Sequence, residues 1–173
     1  MFKSYKPTWQ LKSIFYLTPE MLKNKKIHFI LTDLDNTLVP WDKKEATPAL
    51  LQWIKMMENN GISIVIVSNN KEERVKKVAA TLGVDYIARA SKPFPFALER
   101  ALKQKNINKD DVVMVGDQLM TDISAASHAH VKSILVAPLK PTDAWNTSIN
   151  RMIERKLKQW MKNKVVWQWK ETI

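Results

Sequence analysis

At 173 residues and 45% hydrophobic, the chain has the length of one domain with an ample buried core, and its composition is not that of a disordered protein. The absence of cysteine excludes disulfides, thiolate metal sites and thiol nucleophiles, and agrees with a reducing compartment. No apolar run approaches the roughly 20 residues of a membrane span and the N-terminus lacks a signal-peptide core, so a cytoplasmic protein is expected.

The net charge of +11 is unevenly placed, with +5 over residues 1–26, +5 over 151–173 and only +1 between 27 and 150. Three parts are expected: a basic N-terminal segment over 1–26 that packs on or flanks the domain, a core over 27–145, and a basic helix and tail over 146–173. In the first, Phe2, Tyr5, Trp9, Ile14 and Phe15 stand among lysines, an aromatic and cationic surface for an anionic partner.

The core opens with the apolar run Ile27 to Thr32, a strand that ends on Asp33 and Asp35, with Thr37 just beyond. Two carboxylates at the end of a strand, one residue apart, would share a face until the turn rotates the second away. One can attack while the other donates a proton. Thr47 and Pro48 then form an N-cap and first helical residue, followed by Leu50, Leu51, Ile54 and Met57 at helical spacing and by Gly61 as a stop.

Further strands are expected at Ile62–Ser68, Tyr86–Ala88, Val112–Val115 and Ser133–Val136, with a helix from about Lys71 to Leu82 stopped by Gly83. The runs are nearly continuous in apolar residues, as for strands buried on both faces, and their alternation with helices predicts a doubly wound parallel sheet of the α/β, Rossmann-like class. Gly116, between a strand and Asp117, offers close backbone approach. His28, His128 and His130 read as structural, His28 within a buried strand.

The strand ends form a set. Asp33 and Asp35 follow the first, Ser68, Asn69 and Asn70 the second, Lys92 and Pro93 the third, Asp117 and Asp122 the fourth. In open parallel sheets ligands bind beyond the carboxyl ends of the strands, so residues spread over ninety positions can converge. Carboxylates bind magnesium, a carboxylate can attack phosphorus, and a hydroxyl, backbone amides and an ammonium hold phosphoryl oxygens. The inventory suits phosphoryl transfer.

The sequences DLDNT at 33–37, Ser68 after its apolar strand, Lys92-Pro93 and GDQLMTD at 116–122 resemble the four ordered motifs of the haloacid dehalogenase superfamily of phosphohydrolases. Over residues 25–158, TDLDNTLVPWD, VIVSNN, GDQLMTD, LVAPL and INRMIER are similar to the YqeG-type branch of subfamily IIIA, whose relatives include mitochondrial phosphatidylglycerophosphate phosphatases. The Phe94-Pro95-Phe96 stretch departs from the pattern where the non-phosphate part of a substrate is received.

The resemblance implies Asp33 as the nucleophile that becomes an aspartyl-phosphate, and Asp35 as the acid that protonates the leaving alkoxide and then the base for water. It implies Mg2+ held by the Asp33 carboxylate, the Asp35 carbonyl and Asp117, with Ser68 and Lys92 on the transferring group. Thr37, Asn69 and Asp122 support the site, Thr37 by bracing the loop and Asp122 by orienting a metal water or Lys92.

The short intervals after Asp35 and between Ser68 and Lys92 leave no room for an inserted lid, so a capless, open site is expected, able to take a phosphate carried on something large. From Ile149 onward, Met152, Ile153, Leu157, Trp160 and Met161 form one helical stripe, with Arg151, Arg155, Lys156, Lys158, Lys162 and Lys164 around it. This basic amphipathic helix either packs on the sheet or, with Trp160, Trp167 and Trp169, meets an anionic membrane from its inner side. The expected substrate is a lipid-linked phosphomonoester of the phosphatidylglycerophosphate type. A soluble metabolite or nucleic-acid end, and a protein that binds RNA, ribosome or membrane with an incidental site, are the alternatives.

Overall fold

The structure is a computed structural model that describes residues 3–43, 45–140, 145–163 and 165–173, and for 3 and 145–151 the backbone alone. Phe2, Lys164 and the side chain of Arg151, named above for the surfaces at the two ends, lie outside the described residues.

Six strands, β1 (Trp9–Leu11), β2 (Phe29–Thr32), β3 (Ser63–Val67), β4 (Asp85–Ile87), β5 (Val112–Gly116) and β6 (Lys132–Val136), form one sheet in the order β1-β6-β5-β2-β3-β4. All five pairings are parallel. From β2 the chain runs outward through β3 and β4, then returns to the other side of β2 for β5 and β6. The order therefore switches between β2 and β5, and a crevice opens above that point.

Strand alternation sorts the core into two layers. Ile30, Ile64, Ile66, Val113 and Val115 face one side, against Leu22 of α1 (Pro19–Asn24), Leu50, Trp53, Ile54 and Met57 of α2 (Pro48–Asn59) and Val75, Val78 and Leu82 of α3 (Glu72–Leu82). Leu31, Val65, Val67, Val112 and Met114 face the other, against Leu98, Ala101 and Leu102 of α4 (Phe96–Lys105) and Ala125 and Ala126 of α5 (Ser124–His128). Thr47 caps α2 by accepting from Leu50 N at 3.2 Å, with Pro48 in the first turn, and Gly83 ends α3 in the left-handed conformation at φ 71°. No inserted domain interrupts the described residues between β2 and α2 or between β3 and α4.

Two features before β3 depart from the sequence reading. β1 lies in the N-terminal segment expected to pack on or flank the domain, where no strand was expected, and pairs with β6 through Trp9↔Ile134 and Leu11↔Val136. His28 precedes β2 rather than lying within it, and is exposed.

At the C-terminus, the inward face of α6 (Trp145–Met161) takes in only part of the expected stripe. Glu154 and Met161 are buried and Leu157 is half-buried, whereas Met152, Ile153 and Trp160 are exposed, so the apolar residues divide between the domain and solvent instead of forming one docked stripe. Beyond it the chain returns along β1: Lys12 N donates to Lys170 O at 2.8 Å and Gln10 Nε2 to Val166 O at 2.9 Å. This tail covers the open edge of β1. Among the described residues no helix is long and apolar enough to cross a membrane.

Candidate active site

The residues above the switch point come from four strand ends. Asp33 directly follows β2, its amide donating to Val115 O of β5 at 2.9 Å, so the ladder itself fixes where the carboxylate starts. Asp117 follows β5. Ser68 follows β3, and its hydroxyl accepts from Asn70 N at 3.1 Å. Lys92 follows β4 by way of a loop in which the Lys92-Pro93 peptide is cis.

Lys92 is the hub. Its ammonium donates to Asp33 Oδ1 at 2.7 Å, to Asp122 Oδ1 at 2.7 Å and to Val67 O at 2.6 Å. Its backbone is held as firmly, because the Asn69 amide donates to Lys92 O at 2.9 Å and accepts from Lys92 N at 2.8 Å. Asn69 thus braces the lysine. Asp122 is fixed at its other oxygen by Gln118 N at 3.0 Å, and Thr37 Oγ1 stands 3.5 Å from Asp117 Oδ1.

Asp33 and Lys92 are buried, which governs their protonation. Removal from water pushes the Asp33 carboxyl up to about 7; the Lys92 charge opposes the rise, and the Asp122 and Asp35 charges add to it. Burial alone would lower Lys92, but the Asp122 and Asp33 charges outweigh it and hold the ammonium above its ordinary range.

Asp33, Asp117 and Asp122 place carboxylate oxygens within 4.8 Å of one another. Three buried carboxylates against one ammonium leave an excess of negative charge, and the donors are hard oxygens. A small divalent cation fits both requirements. Gly116 is what lets this cluster close: a Cβ there would sit 2.3 Å from the Asp122 carboxyl carbon.

Asp35 stands beside the cluster and less buried. Its carboxylate accepts from Asn70 Nδ2 at 2.8 Å and from Arg74 Nε at 2.9 Å, with Arg74 Nη2 also bound to it. Arg74 was not singled out from the sequence, where it is one cation of a basic helix and its partner lies far upstream. The expected site residues Asp33, Asp35, Ser68, Lys92 and Asp117, with Thr37, Asn69 and Asp122, all lie at this end of the sheet.

The surface residues at the C-terminus lie differently. Arg155, Lys156 and Trp160 are exposed on α6. Trp167 is not free surface: its ring packs against the cluster of Leu119, Ile123 and Leu135, its Nε1 donates to Lys158 O at 3.0 Å, and Lys158 Nζ sits 5.6 Å from the ring centre. The indole finishes the domain rather than facing a partner. Glu154, an unexpected member of α6's inward face, accepts from Met120 N at 3.0 Å, between Asp117 and Asp122.

Comparison with known proteins agrees with this geometry. The chain is 42% identical, over 169 residues covering 98% of both chains, to a protein of Bacillus subtilis (strain 168) called a probable phosphatase, YqeG. A hypothetical protein from Xanthomonas campestris shares the fold with a TM-score of 0.58 at 17% identity, covering 87% of this chain and 80% of that one. So does the cobalt-bound form of the deoxy-D-mannose-octulosonate 8-phosphate phosphatase YrbI from Haemophilus influenzae, with a TM-score of 0.51 at 16% identity over 79% and 90% of the two chains. The family model for haloacid dehalogenase-like hydrolases matches residues 6–130, and the chain belongs to that family.

Proposed function

We propose that this hydrolase is a magnesium-dependent phosphomonoesterase that works through an aspartyl-phosphate on Asp33. The observation that carries the reading is the setting of Asp33, buried against Lys92 and the other acids, with a second carboxylate two residues on. A halide leaves without a proton, but an alkoxide needs one, so Asp35 has a purpose in phosphate ester cleavage that it lacks in dehalogenation.

Asp33 attacks phosphorus, the ester P–O bond breaks, and the departing oxygen takes a proton from Asp35. Water then attacks the aspartyl-phosphate, gives a proton back to Asp35, and releases phosphate with Asp33 regenerated. Lys92 holds Asp33 in place and, with Ser68, binds oxygens of the transferring group. Asp33, Asp117 and the Asp35 carbonyl would hold Mg2+, which neutralises charge on the phosphoryl group, and Asp122 keeps Lys92 aligned.

The leading substrate is a lipid-linked phosphomonoester of the phosphatidylglycerophosphate type, reached by peripheral contact with an anionic membrane. Three features support it: the absence of an inserted lid among the described residues, the exposed and stacked Phe94 and Phe96 just past Lys92, and exposed Met152, Ile153 and Trp160 beside Arg155, Lys156 and Lys162.

The test is phosphate release with Mg2+ from phosphatidylglycerophosphate in mixed micelles, beside soluble sugar, nucleotide and nucleic-acid-end phosphates, for wild type and Asp33→Asn. Preference for the lipid, lost in the variant, supports the whole reading. Turnover confined to soluble esters retains the chemistry and discards the lipid. Absence of Asp33-dependent turnover on every ester points to a binding protein with an incidental site.

A further inference from the structure

Asp35 is held by a device outside the four motifs. Arg74, on the first turn of α3, sends Nε to Asp35 Oδ1 at 2.9 Å and binds the same oxygen through Nη2. Its remaining hydrogen bonds reach the loop that carries Asp35 back from the sheet, Nη1 to Lys43 O at 2.8 Å and Nη2 to Pro40 O at 3.3 Å. Asn70 Nδ2 takes the other Asp35 oxygen at 2.8 Å. The side chains of Arg74 and Asp35 are only 18% and 23% accessible, so the pair is partly desolvated and its geometry is restrained.

The bonding leaves the carboxyl able to act. A carboxylate offers about four acceptor positions, and Asp35 uses three, two on Oδ1 toward Arg74 and one on Oδ2 toward Asn70. The remaining position on Oδ2 is where a transferable proton can sit. Because Arg74 grips Oδ1 and the loop carbonyls together, rotation of the carboxyl would break several bonds at once. An ammonium at this position would be a point donor, unable to span Nε, Nη1 and Nη2 partners simultaneously.

We infer that Arg74 is the positioning residue for the acid and base Asp35, aiming its free Oδ2 position at the leaving oxygen, an inference that rests on the phosphatase reading above. Its consequence depends on the leaving group. An alkyl phosphate releases a strongly basic alkoxide that must be protonated as the P–O bond breaks. A nitrophenyl phosphate releases a stable phenolate that needs no proton. Loss of Arg74 therefore slows phosphoryl transfer to Asp33 from the first ester and largely spares that step for the second, while the later water step, which uses Asp35 as base, slows alike for both.

The experiment measures the single-turnover rate of leaving-group release, beside steady-state kcat and KM, for an alkyl phosphate and for p-nitrophenyl phosphate with Mg2+, using wild type, Arg74→Ala, Arg74→Lys, Asp35→Asn and Asp33→Asn. The expected result is a roughly 100-fold loss of the single-turnover rate on the alkyl ester in Arg74→Ala, with less than a roughly 5-fold loss of that rate on the nitrophenyl ester, and the same pattern in Asp35→Asn, whereas steady-state kcat, which includes the water step, falls for both esters. Arg74→Lys restores the alkyl activity only in part. Equal losses of the single-turnover rate on both esters, as from a loosened loop, would overturn the inference, and so would a gain of activity, as from release of an inhibitory clamp. A wild type that hydrolyses neither ester, or an Asp33→Asn variant that still does, would instead remove the phosphatase reading and this inference with it.

Discussion

The ammonium of Lys92 and the carboxylate of Asp33 meet at 2.7 Å, with side-chain accessibilities of 1% and 10%, although the two residues arrive from different strand ends. Asp122 shares the same ammonium at 2.7 Å, so one cation serves two buried anions. Replacing Lys92 by Met leaves both anions without their counter-charge. Breaking a buried pair this way costs about 3–5 kcal/mol, to be read from urea unfolding of the metal-free protein. On the proposed mechanism phosphate release should fall by roughly 100-fold or more, because the same ammonium is assigned to the transferring group.

The protonation of Asp33 makes the metal-free protein sensitive to pH. Burial raises its pKa from 3.8 to about 7, so between those values the folded state holds a proton that the unfolded chain has lost. Folding stability contributed by this group is therefore greatest at acid pH and falls as pH rises through that window. Asp33→Asn removes the titration. In the absence of metal its Tm should exceed that of wild type at pH 7.5 by roughly 2–4 °C or more, and the gap should narrow as pH falls, closing only near the unfolded pKa of 3.8. If Asp33 ligates Mg2+ as proposed, saturating Mg2+ should reverse the order, since a bound cation would stabilise wild type and lose a ligand in the variant.

Gly116 tests the packing of the acids without touching a charge. A methyl group there meets the Asp122 carboxyl carbon at 2.3 Å, closer than real Cβ contacts come, so Asp122 must move and release Lys92 or Gln118 N. Gly116→Ala should cost about 1–3 kcal/mol in stability and lower phosphate release on all esters alike, in contrast to the leaving-group dependence expected at Arg74.

The C-terminal helix separates into a structural face and an exposed one. Glu154→Ala removes the partner of Met120 N and loosens the turn between Asp117 and Asp122, so it should destabilise the domain by about 1–3 kcal/mol. Deleting 151–173 would also uncover β1 and should promote aggregation, which makes deletion a poor probe of membrane contact. Met152→Ser with Lys156→Glu changes only exposed groups: its Tm and soluble-ester turnover should match wild type, while sedimentation with vesicles of phosphatidylglycerol falls.

Much of this was legible in the amino-acid order. Four of the strands are apolar runs with turn residues at their ends, and the chemical residues fall just after them, so the sheet and the cluster of Asp33, Asp117 and Lys92 could be read together. β1 could not, because Trp9-Gln10-Leu11 is three residues long and its partner β6 lies far along the chain; only tertiary pairing makes it a strand. Arg74 was hidden among Lys71, Lys76 and Lys77, where a helical cation ordinarily faces solvent. Glu154 left a usable signal: a single acid in a basic helix, in register with Leu157 and Met161. Trp167 was read as surface because aromatics beside lysines resemble an interface belt, whereas Lys158 here lies over the ring of a packed indole.

The central claim is that Asp33 carries the phosphoryl group. The most direct measurement is acid quenching of wild type and Asp33→Asn during turnover of a phosphate ester with Mg2+, followed by mass spectrometry of peptides with and without hydroxylamine. The account predicts a hydroxylamine-labile phosphoryl adduct on the Asp33 peptide of wild type, and neither adduct nor phosphate release in the variant. Phosphate release that persists in Asp33→Asn, or an adduct on another residue, would contradict it.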